Sequence, residues 1–269
     1  SVQVAIRSTS DVSTQVVQRN VTASGDSHNL RATLGAQWDV VKELTVGLVA
    51  TTPGLTWASG GTLSGQGGIY TGTSLVDTRF LDESADFTYK LPFELAGGLA
   101  LNLGRFAFEA DVRWYASVAD FSLFASQATG TRTTTDPAGT PTSSAVSFAP
   151  TVVSWRDVVN FAAGGHFDVS PKVRVQLGFF TDRSPVQDGI IFPKIDLYGG
   201  TAGVSFAIGK LFSGSLGLSY TRGSSPRATL GTLPDGSPVE TEINLTILQL
   251  LYSIELSFGG SSEAAASQP

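Results

Sequence analysis

The chain has 269 residues, 15% of them charged and 41% hydrophobic, with a formal net charge of −6 and no cysteine. That balance leaves no basic stripe to displace counterions from a nucleic-acid backbone, and the lack of cysteine removes disulfide frameworks and thiolate metal sites. Charged residues stand well below the roughly 25% usual in soluble domains while apolar content is ordinary, so many residues face something other than water, yet no run approaches the ~18 apolar residues of a membrane helix. Ser1 opens directly in strand-like sequence with no signal peptide before it, which reads as a mature, trimmed or partial chain.

A short strand is expected over Val2 to Ser8. Leu30, Ala32, Leu34, Ala36, Trp38 and Val40 then alternate with polar or small residues. The link Val41-Lys42-Glu43 leads into Leu44, Val46, Leu48 and Ala50. From Phe87 to Leu103 every odd position is apolar or glycine, which predicts one long strand with two unlike faces. The phase flips to even numbers across Gly104 and Arg105, giving Phe106, Phe108, Ala110, Val112 and Trp114. Residues flanking a two-residue loop face each other, so Leu103 and Phe106 share the apolar side, and a glycine in the first loop position suits a type II′ turn. The same pattern runs through Val159 to Val169, Val173 to Phe179, Tyr198 to Ile208, Phe212 to Tyr220 and Leu250 to Phe258, making about ten strands.

The connections sort into two kinds. One end of the strands carries tight turns, near Val41, Gly104, Pro171 and Gly209. The other carries long polar segments: Thr9 to Ser27, Trp57 to Thr78, Ala119 to Ser144, Arg183 to Lys194 and Gly223 to Glu240. Bacterial outer-membrane barrels have this asymmetry, with ~10-residue alternating strands. Trp38, Phe106, Phe167, Phe206, Phe212 and Phe258 fall towards the tight turns, and Trp114, Phe179, Tyr198 and Tyr220 towards the long connections, as two aromatic girdles would. An unpaired backbone group in hydrocarbon costs several kcal/mol, so such a sheet is expected to close. The expected fold is an all-β, transmembrane, antiparallel up-and-down β-barrel over residues 1–258, followed by a disordered polar tail over 259–269.

Trp155-Arg156-Asp157, the hairpin to Asp182, Ser184-Pro185-Val186 and then Phe192-Pro193-Lys194-Ile195-Asp196 resemble the outer-membrane transporters of long-chain fatty acids and other hydrophobic compounds (FadL/TodX type). Leu91-Pro92 inside a long strand and Thr52-Pro53 ending one fit the same pattern. The resemblance spans about Asn29 to Phe258 and implies a fourteen-stranded barrel, a hatch in the lumen and diffusion of apolar substrates through the wall into the membrane. No Asn-Pro-Ala-type hatch motif is present and the length is several strands short, so the chain reads as the C-terminal part of such a protein or a shortened relative. Pro92 has no N–H to give a sheet ladder and marks either a weak point in the wall or a register-setting bulge.

On the face opposite the apolar one, Gly199, Thr201, Gly203, Ser205 and Ser213, Ser215, Gly217, Ser219 are too small to fill a barrel, which leaves room for water, substrate or a plug. Larger groups on that face include Arg31 and Asp39; Glu94, Glu109, Asp111 and Arg113; His166, Arg174 and Gln176. Arg31, Arg113 or Arg174 could grip a substrate carboxylate with forked geometry, beside Glu109 and His166; the competing reading is a salt-bridge network across strands. Phe121, Leu123 and Phe124, with Phe148, are apolar within an expected external loop and either line a capture site for apolar substrate or extend the sheet above the bilayer.

Two isolated histidines and no nucleophile elbow give hydrolysis no support, and Gly60 to Gly72 and Gly209-Lys210 lack phosphate-loop context. The expectation is a monomeric outer-membrane transporter of hydrophobic small molecules such as long-chain fatty acids or hydrocarbons. It is no enzyme, with no cofactor, no metal and outer-membrane lipid as its other partner. A general polar diffusion porin is the alternative, and a structural or adhesive barrel the third class.

Overall fold

The computed structural model describes residues 2–12, 15–71, 74–187, 194–208, 212–225, 228–232 and 238–256. Every regular element among them is a β-strand. In chain order these are β1 (Val2–Val12), β2 (Gln15–Leu30), β3 (Thr33–Val41), β4 (Leu44–Thr51), β5 (Leu55–Thr71) and β6 (Ser74–Phe87). There follow β7 (Glu94–Leu103), β8 (Phe106–Tyr115), β9 (Val118–Ala125), β10 (Thr129–Thr135), β11 (Pro141–Ser147) and β12 (Thr151–Trp155). The rest are β13 (Val158–Ser170), β14 (Val173–Asp182), β15 (Asp196–Ile208), β16 (Phe212–Ser224), β17 (Ala228–Thr232), β18 (Pro238–Thr241) and β19 (Asn244–Leu256).

Nine strands form one antiparallel up-and-down sheet in the order β3-β4-β7-β8-β13-β14-β15-β16-β19. Its register keeps one face apolar from edge to edge. Trp38 lies opposite Val46, Val46 opposite Leu99, Leu99 opposite Ala110 and Ala110 opposite Ala163. Ala163 lies opposite Phe179, and beyond it Val204 opposes Leu216 and Leu216 opposes Tyr252. A one-residue slip at any junction would have turned half the set to the other side. No described residue covers this face: Leu34 is 80% exposed, Trp38 70% and Tyr252 79%. Burial by a second protein layer, as in a sandwich, does not occur there; the hydrophobic core lies elsewhere.

Gly104 has φ +68° and no non-glycine residue has positive φ, so Gly104-Arg105 has the signs of a type II′ turn. The connections at Val41 and Ser170 are two-residue turns plus a bulge, after Asp39 and Asp168 respectively.

The described residues differ from the expectations in four respects. First, no pairing between described residues closes the sheet, and β3 and β19 remain its edges. Second, the strand near Val2 to Ser8 is no tenth member: β1 pairs only with β2 in a separate sheet. Third, the long connections Thr9 to Ser27, Trp57 to Thr78, Ala119 to Ser144 and Gly223 to Glu240 contain strands. β1, β2, β5, β6, β10 and β11 form a second sheet, with β9 joined to β6 and β12, while β17 pairs β18. The backbone groups of a 20-residue polar segment need partners, and neighbouring segments rich in threonine and valine supply them as ladders. Fourth, the single strand expected from Phe87 to Leu103 is two, broken between Phe87 and Glu94 where Pro92 has no N–H to donate. Phe192-Pro193, the Gly209-Lys210-Leu211 turn, Phe258 and the tail 259–269 lie outside the described residues.

Candidate functional site

Arg31 shows which side of the second sheet continues the polar face of the first. Its guanidinium donates to the carbonyls of Thr52 and Pro92, both at 3.0 Å, and stands 3.7 Å from Glu94. Those carbonyls flank breaks in the strands, so the arginine replaces ladder donors that the chain there does not provide. Two residues earlier, Asn29 donates to Ser27 at 2.9 Å and accepts from Thr56 at 2.8 Å, so Ser27, Gly25 and Ala23 extend the same side upward. Leu30 and Leu55 go with the apolar face, as does Trp57, whose ring centroid lies 5.6 Å from that of His28.

The hydrophobic core sits on the polar-face side, above Arg31. Leu63, Phe87, Leu123 and Phe124 are fully buried, with Ala23, Phe80, Phe121, Val153, Trp155 and Val186 around them. The rings of Phe87 and Phe124 meet tilted at 43° with centroids 4.8 Å apart, and Phe87 packs so closely on Gly25 that a Cβ there would come within 2.4 Å of the ring. Glycine is required at that approach. Phe121, Leu123 and Phe124 thus lie on β9 within a packed core, at 6%, 0% and 2% exposure, and no open surface is formed by them. Lys90 Nζ stands 5.4 Å over the Phe121 ring, and Trp155 donates its indole N–H to the Lys90 carbonyl at 2.9 Å.

Below this cap the polar face is lined by paired charges. Glu94 is shared by Arg31 and Arg113, the latter at 3.2 Å. Arg174 makes a forked pair with Asp168 at 2.7 and 3.2 Å. All three arginines expected to grip a substrate carboxylate are therefore held by carboxylates of the chain, which matches the geometry of a cross-strand network. A bound acid would have to exchange with Glu94 or Asp168. Glu109 lies between Ala100 and Gly164 in the register, and His166 between Ala107 and Gln176, so neither is brought to the Arg31 cluster.

Asp168 escaped the sequence reading, although it stands opposite Arg174 across a tight hairpin and alternation places both on one face. Towards the tight turns Gln176 bonds Ser205, Ser215 bonds Ser253 and Ser213 bonds Glu255, around an open concavity of about 840 Å³. Towards the other end the same face carries Phe180, Leu197, Leu245 and Ile247. The side away from the apolar band is thus polar near the tight turns and apolar near the second sheet.

The residues that carry the resemblance meet one another. Trp155 bridges to Val186, and Arg156 donates to the carbonyls of Ser184 and Pro185 and to Asp196 at 2.9 Å. Asp157 accepts from the Ser117 N–H at 2.8 Å. Together they tie the segments between β8 and β9, β12 and β13, and β14 and β15 at one level.

Asp82, on β6 beside the core, accepts from the Ser126 hydroxyl and from the Ser84 N–H. Those donors, the Ser126 hydroxyl foremost, hold its carboxyl below the usual carboxylate range against the opposing effect of burial. A depressed carboxyl contributes stability that is fully present above its unfolded value and lost as pH falls through the folded one. Acid below about pH 4 is therefore expected to loosen β6 and β9, and Asp82→Asn to remove that part of the pH dependence. Limited proteolysis across pH measures it; an unaltered acid limb in the variant would refute the assignment.

No known family model matches the chain, and no curated protein does. Among the described residues no group of histidine, aspartate and glutamate side chains has the arrangement of a metal site.

Proposed function

We propose that the nine-stranded sheet is the membrane wall of an outer-membrane β-barrel that passes hydrophobic small molecules, such as long-chain fatty acids or hydrocarbons, without a chemical step. The observation that carries this reading is the apolar face, continuous in register over nine strands and left bare. Water would penalise that face at roughly 25 cal/mol per Å², whereas acyl chains would not. The apolar upper part of the opposite face offers a path for greasy solutes, and the resemblance around Trp155, Ser184 and Asp196 supports the same class.

The odd number of strands makes β3 and β19 run in the same direction. A ring made wholly of antiparallel pairs then takes an odd number of further strands, and direct closure takes one parallel pair. A fourteen-stranded barrel, which the resemblance implies, leaves five and meets the first condition.

The open polar concavity near Arg174 and Ser215 favours the second reading, a polar diffusion channel. Reconstitution into lipid vesicles separates the two. The first expects low ion conductance with entry of a fluorescent long-chain fatty acid; high conductance with no fatty-acid entry would select the second. A chain that fails to insert would end both.

A further inference from the structure

Three arginines lie within the nine strands, and two of them, Arg113 and Arg174, are on the polar face in ion pairs. The third, Arg222, is on the apolar face of β16, two residues short of its end at Ser224. Its cross-strand neighbours there are Tyr198 on β15 and Thr246 on β19, and Tyr220 follows it down the same face. Arg222 is exposed, and among the described residues no carboxylate pairs with it. Of the acids nearest in the register, Asp196 bonds Arg156 and the Ser184 N–H and Glu242 bonds Asn244, while Asp182, opposite Leu197, alternates onto the other face of the sheet. Two more cations mark the same end of the adjacent strands, Arg183 directly after β14 and Lys194 just before β15.

An unpaired guanidinium on the lipid side is costly at the bilayer centre and favourable at its boundary, where the side chain reaches headgroup level and tyrosine rings settle beside it. In a chain of net charge −6, three cations at one end of adjacent strands, none in an ion pair among the described residues, select an anion. The forked donors of arginine match the oxygens of a phosphate. We propose that this end of β14, β15 and β16 binds the phosphate of a membrane-lipid headgroup, with Arg222 as the central contact and Arg183 and Lys194 flanking it. The site rests on the membrane reading above and adds a lipid partner to it.

The test folds the full chain into vesicles of a neutral, phosphate-free galactolipid carrying a minor fraction of bisphosphorylated lipid A or of its dephosphorylated form. Lipid kept after mild detergent extraction is then counted by native mass spectrometry. The bisphosphorylated form is expected to be retained about tenfold better, and Arg222→Gln to lose about that factor, the worth of one charge-assisted contact. Arg132→Gln, on exposed β10, is expected to change nothing. Equal retention of the two lipids, or full retention by Arg222→Gln, would overturn the phosphate site alone. Failure of the unaltered chain to enter neutral vesicles would instead overturn the membrane reading on which it depends.

Discussion

Leu99→Arg and Leu216→Arg are each expected to weaken assembly into a bilayer by about 2 to 4 kcal/mol, the cost of an arginine on the lipid face near the midplane. Leu99 sits mid-strand between Val46 and Ala110, and Leu216 between Val204 and Tyr252, so both positions are surrounded by apolar neighbours on one face. Leu99 is 41% and Leu216 48% exposed, and folding in water alone would therefore give little reason for a large loss. Ala100→Arg supplies the control. It lies one residue along β7, turned to the polar face between Thr45 and Glu109, and a cation there gains a carboxylate neighbour instead of meeting hydrocarbon. Urea titration of folding in lipid vesicles should rank Leu99→Arg and Leu216→Arg far below Ala100→Arg. Equal losses at all three would mean that the apolar face does not meet lipid.

The facing of these residues was legible from alternation alone, because a period of two leaves a strand only two possible settings and a tight turn carries the setting into the next strand. Leu103, Gly104 and Phe106 show this at one hairpin, and the register keeps the setting across all eight pairings of the sheet. The second sheet was not legible for a matching reason. In Gly60 to Gly72 and Thr129 to Thr135 both faces are threonine, serine or glycine at most positions, so no period separates strand from loop. Those segments pair because long neighbours of similar polarity lie beside them, a fact of tertiary context that no local window contains. The core had the same difficulty. Phe87 reads as the start of a membrane strand, yet Pro92 breaks the ladder after it and frees the ring to pack on Gly25 and Gly61. Of the charged lining, Glu94 and Arg113 were placed on their face correctly, whereas the sharing of one carboxylate by Arg31 and Arg113 depends on a strand break at Ala32 that alternation runs straight through.

Phe124→Ala is expected to remove about 3 to 5 kcal/mol from the second sheet, the usual cost of emptying an aromatic site in a core that relaxes only in part. Phe124 is 2% exposed, meets the Phe87 ring in a tilted contact and pairs with Phe87 and Thr151 across two strands, so one truncation loosens the junction of β6, β9 and β12. Phe148, only partly buried against Phe80 at a ring distance of 5.0 Å, should lose much less when cut to alanine. The loss is expected to be local. The nine-stranded sheet contributes nothing to this core, so its folding in vesicles should persist while β5, β6 and β9 to β12 become sensitive to added protease. A transport consequence follows from the placement of the core above Arg31 and Glu94 on the polar side: opening it should raise ion conductance through the reconstituted protein. Conductance that stays low while β9 is cleaved would show that the core is a structural cap beside the path and does not obstruct it.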